Sequence, residues 1–273
     1  MADIDFIRDR LQEAASLVAT RYAERDQVHV TSKTEANDLL TEVDLAVQKL
    51  LVDRIRQSYP NDVIVGEEDG YNQFPEDPSV RAWVLDPIDG TQNFVRGLFP
   101  TFGVSVALAE GGLPIAGGVA LPLVQQVYLA QRGAGAYRNG ARVHVSDLDS
   151  LGLARIEIDF ATQPDREETL ERFARIIVEG GQVRCHCAAV VPLVSIAAGE
   201  MDVYLHVSLN PWDYAAGQLL VEEAGGRTSR LDGRPLRLFE KARGVLATNG
   251  RVHDAVLQTL RETHPSASPG TRQ

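Results

Sequence analysis

The sequence predicts an α/β fold of the mixed (α+β) kind, and three observations carry that expectation. Short apolar runs of strand length are interleaved with segments of helical spacing. The way they alternate changes near Arg155. Hydrophobic residues make up 44% of the 273 residues, enough to bury a substantial core in one or two closely packed domains without a staple.

Apolar side chains at Ile4, Ile7, Leu11, Ala14 and Val18 repeat at helical spacing and predict a first helix over 3–24, with a second over 42–58. Strands are expected near 62–66 and 82–86, the latter stopped by Pro87, which cannot donate a ladder hydrogen bond. Further strands follow near 102–110, 114–120 and 126–131, with a turn at Gly111-Gly112 between the first two. This half reads as an antiparallel or mixed sheet covered by helices. From Arg155 the pattern becomes a strand, a helix over 167–179, a strand near 183–187, a helix near 188–199, a strand near 202–205 and a helix over 213–224. A last strand over 244–247 leads into a helix near 250–262. The boundaries drawn are 1–150 for the N-terminal half, 151–263 for the C-terminal half, and a disordered Pro-, Ser- and Gly-rich tail over 264–273. No internal repeat is found.

Composition excludes several classes. Only Cys185 and Cys187 are present, one residue apart in what reads as a strand, a spacing that suits a disulfide poorly and is typical of a reduced cytoplasmic protein. His186 between them would point to the opposite face, so Cys-His-Cys reads as a poor metal site. The acidic N-terminus runs straight into an amphipathic helix rather than a signal peptide, and no apolar run is long enough to span a membrane. A net charge of −11, from 27 basic and 38 acidic residues, argues against nonspecific nucleic-acid binding. An anionic substrate remains compatible, because bound metal ions invert the local sign of charge.

Chemistry concentrates in three segments. The strand ending Trp83-Val84-Leu85 opens onto Asp86-Pro87-Ile88-Asp89-Gly90-Thr91, placing two acids, a forced bend and a hydroxyl at one strand mouth. Gly90 allows tight geometry or close approach of a ligand, and a short helix starting at Thr91 would aim free N–H groups at the same place, where a phosphate is stabilised. Hard divalent cations take oxygen ligands, so such acids can hold metal ions; taken alone, they could equally end a strand and cap a helix. Val63-Ile64-Val65-Gly66-Glu67-Glu68 is a second acidic strand end, which by itself also reads as a solvated loop. Pro211-Trp212-Asp213 opens an apolar helix with a Gly C-cap, where Asp213 alone would read as a cap.

Taken together and in this order, Gly66-Glu67-Glu68, Asp86-Pro87-Ile88-Asp89-Gly90-Thr91-Gln92-Asn93-Phe94 and Trp212-Asp213-Tyr214-Ala215-Ala216-Gly217 resemble the signatures of the inositol monophosphatase family of Mg²⁺-dependent phosphatases. Lys33 followed by Asp38-Leu39-Leu40-Thr41-Glu42-Val43-Asp44 is similar to a further upstream segment of that family, and the resemblance spans about Phe6 to Arg261. It implies a layered α-β-α-β-α sandwich of the sugar phosphatase type, with the metal motifs of the first half meeting Asp213 from the second. It implies hydrolysis of a small-molecule phosphate monoester by in-line attack of metal-activated water. Residue by residue, Glu67, Asp86, the backbone carbonyl of Ile88, Asp89 and Asp213 would hold roughly two or three Mg²⁺ ions. Thr91 and Glu67 would activate the water, with Asp44 hydrogen-bonded to Thr91 and orienting its hydroxyl. The N–H groups of Gly90 and Thr91 would receive phosphate oxygens, with Asp89 and Asp213 also facing the substrate. Lys33 would be the cation near the site, although by itself it reads equally as a surface lysine. Homodimerisation and lithium inhibition are implied in the same way.

The chain departs from the family pattern where the alcohol portion of the substrate is expected. His206 stands where inositol-specific members have a glutamate that contacts ring hydroxyls, and an imidazole accepts at most one hydrogen bond. In the stretch beginning at Arg184, Cys187 replaces a glycine, while Ala189 still matches a small pocket-lining position. Inositol monophosphate therefore stands beside histidinol phosphate, sugar phosphates, fructose 1,6-bisphosphate and adenosine 3′,5′-bisphosphate as candidate substrates. A different class of function is also open, because some bacterial members of this family associate with the transcription apparatus and help ribosomal RNA maturation. The complete carboxylate set argues against a purely noncatalytic role.

Overall fold

The structure, a computed structural model, describes residues 2–33, 39–98, 100–160, 165–240 and 244–263. Asp38 of the upstream motif and the predicted tail over 264–273 lie outside the described residues. The first half comprises α1 (Asp3–Ala23), β1 (Val30–Ser32), β2 (Leu39–Thr41), α2 (Glu42–Ser58), β3 (Val63–Gly66), β4 (Ala82–Asp89), α3 (Thr91–Arg96), β5 (Gly103–Glu110), β6 (Leu113–Leu121), β7 (Gln126–Gln131), β8 (Gly135–Arg138) and β9 (Ala141–Val143). The second comprises β10 (Arg155–Ile158), α4 (Asp165–Glu179), β11 (Gln182–Arg184), α5 (Val190–Ala197), β12 (Val203–His206), α6 (Pro211–Glu223), β13 (Arg227–Ser229), β14 (Val245–Thr248) and α7 (His253–Thr263).

Strands β3 to β9 form a seven-stranded sheet in chain order, parallel only between β3 and β4. A five-stranded sheet has the order β11-β10-β12-β14-β13, and its first three strands are mutually parallel. Burial of both faces explains why β4 and β5 read as continuous apolar runs. Trp83 and Leu85 of β4, with Val104, Val106 and Leu108 of β5, pack into one core with α1 and α2. Val84, Ala107 and Ala109 point the other way, into a core with α5 and α6. The same helices cover one face of the five-stranded sheet, where Tyr204 joins that core. Its other face sends Ile156, Ile158, Val203, Leu205 and Leu246 against Phe173 and Ile176 of α4 and Val256, Leu257 and Leu260 of α7. The layers therefore run α1/α2, seven strands, α5/α6, five strands, α4/α7, which is the expected α-β-α-β-α sandwich.

Three expectations are corrected. β4 does not stop at Pro87 but continues to Asp89, because the ladder to β5 slips between Asp86 and Asp89 and so absorbs the missing donor. The strand expected over 183–187 ends at Arg184. Beyond it the backbone N–H groups of His186 and Cys187 donate to the carboxylates of Glu157 and Asp159 instead of to a ladder. Cys187 adopts a left-handed φ of 57°, so the side-chain alternation expected across Cys185, His186 and Cys187 is lost. The thiols face each other, with Sγ atoms 3.5 Å apart. Strands β1, β2, β8, β9 and β13 were not anticipated; each is only three or four residues long and carries too few positions to show a period.

Trp83 is fully buried, packs edge-on or tilted against Phe6 and Tyr59, and donates its indole N–H to Asp62 Oδ2 at 2.9 Å. Trp83→Ala is expected to lower unfolding free energy by about 3–5 kcal/mol, read as a shifted denaturation midpoint.

Candidate active site

The slip in β4 shapes the site. It pairs Asp86 with Ser105 but Asp89 with Gly103, so the two acids emerge on either side of Pro87. Gly90 then turns the chain with φ 87°, and a Cβ there would lie 2.9 Å from both the Ala188 Cβ and the Thr101 carbonyl oxygen. Only glycine lets this turn lie so close to the segment entering α5. The same contact brings the Val190 N–H to Asp89 Oδ2 at 2.6 Å, so a helix start from the second half is fastened to an acid of the first. Helix α3 begins directly at Thr91.

Asp44 sits fully buried in the first turn of α2, where Thr41 caps the helix and donates its backbone N–H to Asp44 Oδ2 at 2.8 Å. The other carboxylate oxygen accepts from the Thr91 hydroxyl at 3.0 Å, and the Ile88 carbonyl offers that hydroxyl a second acceptor at 3.0 Å. Lys33 reaches Glu67 at 2.6 Å and Glu68 at 2.9 Å and is largely covered, so it is paired with both glutamates rather than free at the surface. Asp213 lies in the first turn of α6, where one oxygen accepts the Asn210 N–H at 2.8 Å as a cap. Capping occupies a single oxygen lone pair, which leaves Asp213 free to do more.

Electrostatics tie these acids together. Burial, followed by the charges of Glu67, Asp89 and Asp213, pushes Asp86 well above the usual carboxylate range. Burial and then the Asp213 charge do the same to Asp89, against the pull of the Val190 N–H. Asp213 rises to about 7, through burial and then Glu67. Asp44 rises to about 6 by burial, although the Thr41 donors oppose it. Burial would lower Lys33, but Glu67 and Glu68 outweigh it and hold the lysine charged. Asp86 Oδ1 is buried with no hydrogen-bond partner, a condition that ordinarily costs about 1–3 kcal/mol or more. An unpartnered anionic oxygen among several repelling carboxylates suits a cation, and an all-oxygen donor set suits a hard one.

The expected pocket residues are placed differently from one another. Ala189 is buried in the core between the two sheets, one residue after the alanine that lies against Gly90. His206 ends β12, nearly buried, and its Nδ1 accepts the Ser208 N–H at 3.0 Å. Burial lowers its pKa, so it is the neutral Nε2–H form and offers a donor where a glutamate would offer acceptors. Arg184 is exposed on the edge strand β11 and donates to Gln182 Oε1 at 2.9 Å. Sequence reasoning missed Glu157 and Asp159, whose side chains organise the 185–187 loop. It also gave no role to Asn93, which donates to the carbonyls of Thr101 and His186 at 2.7 Å each. An acid inside the apolar strand Ile156-Glu157-Ile158 was the available signal. A separate groove between α1 and the β6–β7 turn, lined by residues such as Gln12, Ser16, Gln125 and Asn139, contains no ionisable side chain and offers no such chemistry.

Two layered sheets with acidic strand and helix ends fastened together between them are the architecture of a layered α/β phosphatase. The profile of the inositol monophosphatase family matches residues 2–265, and the chain belongs to that family. A Thermotoga maritima protein named fructose-1,6-bisphosphatase/inositol-1-monophosphatase is 34% identical over 96% of this chain and 97% of its own length. The Nus factor SuhB of Escherichia coli K12 is 35% identical over 92% of each chain. The crystal structure of the extragenic suppressor protein suhB from Bartonella henselae superposes with a TM-score of 0.87 at 27% identity, covering 96% of this chain and 99% of that one.

The raised acids make stability depend on pH. The folded state holds the Asp213 proton more tightly than the unfolded chain, so its contribution is complete below 3.8 and lost as pH rises through about 7. In chelator, the melting temperature of the wild type is expected to fall across that window, and that of Asp213→Asn to fall less.

Proposed function

We propose that the chain is a Mg²⁺-dependent phosphatase that hydrolyses a small-molecule phosphate monoester where β4, α3 and α6 meet. The observation that carries this reading is the set Glu67, Asp86, Asp89 and Asp213, mutually repelling, served by Lys33, and including the unpartnered Asp86 oxygen. These side chains, with the Ile88 carbonyl, would hold the ions. Among the described residues no three of these carboxylates bring ligand atoms within 4.8 Å of one another. A set that opens around two ions about 3.5–4 Å apart needs more room than one closing on a single ion. Bound there, the ions would supply positive charge to the phosphoryl oxygens and make the attacking water more acidic.

The remaining steps fall to the chain. The Thr91 hydroxyl, with its proton directed to Asp44, keeps a lone pair to accept a hydrogen bond from the attacking water and orient it, while the Glu67 carboxylate would take the proton. Asp44 is fixed by Thr41, so it positions Thr91 and stays out of contact with substrate. The N–H groups at Gly90 and Thr91 would receive phosphate oxygens. Ala189, Arg184 and His206 would shape the leaving-group side. Because His206 presents a donor, this pocket suits inositol hydroxyls less well than a glutamate would. The Thermotoga relative's name supports fructose 1,6-bisphosphate as a substrate beside inositol monophosphate, with histidinol phosphate and adenosine 3′,5′-bisphosphate as further candidates.

A second reading rests on the SuhB relatives, one of them named a Nus factor: the chain would bind the transcription apparatus. A cytoplasmic homodimer sensitive to Li⁺ belongs to the same proposal; among the described residues no helix is long and apolar enough to cross a membrane.

Phosphate release from a panel of monoesters, with and without Mg²⁺, tests the first reading. Asp89→Asn is expected to lose at least about 100-fold in kcat. Thr91→Ala and Asp44→Asn should lower kcat by about 100-fold with little change in KM. Metal-independent release, or full activity in Asp89→Asn, sinks the proposal. No release from any wild-type substrate, with retention on a transcription complex in a pull-down, favours the second. His206→Glu should raise kcat/KM for inositol monophosphate relative to the other esters, and an unchanged ratio removes His206 from substrate choice.

A further inference from the structure

The loop between β11 and α5 brings two cysteines to an aspartate just beyond β10, three side chains that the phosphatase chemistry does not use. Cys185 Sγ lies 3.5 Å from Cys187 Sγ and 3.6 Å from Asp159 Oδ1. Among the described residues this is the one group of three potential ligands whose atoms all lie within 4.8 Å of one another. A tetrahedral zinc ion, with Zn–S about 2.3 Å and Zn–O about 2.0–2.2 Å, sets sulfur–sulfur edges of about 3.8 Å and sulfur–oxygen edges of about 3.6 Å. The sulfur–sulfur pair and the Cys185 sulfur–oxygen pair already stand close to those separations, and the third pair lies within 4.8 Å.

The surroundings hold them there. Asp159 is nearly buried; its Oδ1 accepts the Cys187 N–H at 2.7 Å and its Oδ2 accepts the Tyr204 hydroxyl at 3.2 Å. Fully buried Glu157 takes the His186 N–H and its ring Nδ1 at 2.8 Å, which keeps that imidazole out of the cluster. Asn93 fixes the His186 carbonyl from the far side. These contacts keep Cys187 in its left-handed conformation, which a non-glycine residue seldom adopts, and that conformation turns its thiol back onto Cys185. The two thiols are exposed, so an ion could enter and a fourth position would remain open to water.

We propose that Cys185, Cys187 and Asp159 form a binding site for a thiophilic divalent cation of the Zn²⁺ class, separate from the all-oxygen set at Asp86 and Asp89. Ligand softness sorts the two sites, since thiolates select zinc-like ions and carboxylates alone suit Mg²⁺. An ion here would clamp the loop whose next turn carries Ala188 against Gly90 and Val190 against Asp89.

The test titrates Co²⁺ alone, as a spectroscopic stand-in for Zn²⁺, into chelator-stripped full-length protein kept reduced and in excess Mg²⁺. The expected result is thiolate-to-cobalt charge-transfer absorption that saturates at one equivalent and is reversed by Zn²⁺. Cys185→Ser and Cys187→Ser, both at exposed positions, should each abolish it, and Asp159→Asn should weaken Co²⁺ binding at least about tenfold. Asp86→Asn should leave the absorption intact, which separates this site from the hydrolase proposal. Absence of the absorption in the wild type, or its persistence in Cys187→Ser, overturns the assignment.

Discussion

The structure turns on compression of like charge. Asp86, Asp89 and Asp213 are pushed upward in pKa first by burial; the Glu67 charge raises all three and the Asp213 charge raises Asp86 and Asp89, with Lys33 as the cation in contact with Glu67. Left alone, such a group would separate or take up protons. Covalent order does not hold it together, because Asp213 lies far along the chain from Asp86. Packing does, and the core between the two sheets is the element that resists the repulsion. It unites Val84 and Ala107 of one sheet with Tyr204 of the other through Leu193 of α5 and Leu219 of α6.

Two contacts translate that packing into site geometry. The left-handed Gly90 lies directly against Ala188, and the Val190 N–H reaches Asp89. Both join the β4–α3 turn to the start of α5, so any movement between the halves is felt first at the acids. On the opposite side, Thr41 serves as helix cap and as anchor for Asp44, which in turn holds Thr91. The capping chemistry and the proposed proton chemistry are thus one hydrogen-bonded chain. Asp44 gives one oxygen to the helix start and the other to Thr91, and Asp213 gives one oxygen to the helix start, so serving as a cap does not use up either carboxylate.

The surroundings of the 185–187 loop are built differently. Glu157 of β10, Asp159 just beyond it, and Tyr204 and His206 of β12 form a buried polar strip beside the middle helical layer. Glu157 and Asp159 each spend one oxygen on the backbone of the 185–187 loop, so they set the loop's shape. His206 spends its acceptor on Ser208 and is left with a donor.

The order of the helices and longer strands and the acids at strand and helix ends were legible in local signals, while the layered sandwich followed from the resemblance to the family. Period-2 and helical spacing mark the long elements, Pro211 with Asp213 marks a helix start, and Gly90 marks a turn. Residues 82–85 showed a buried strand, but not that β4 passes through Pro87, since the slip against β5 is a property of the pair. Likewise, Cys185-His186-Cys187 read as alternating strand residues until Glu157 and Asp159, distant in sequence, supplied the acceptors that end β11. The sequence by itself determined which residue types stand at each element's end. Tertiary structure alone decided which of those ends meet, because contacts across about a hundred residues, such as Val190 to Asp89, are set by packing of whole layers and leave no trace in local pattern.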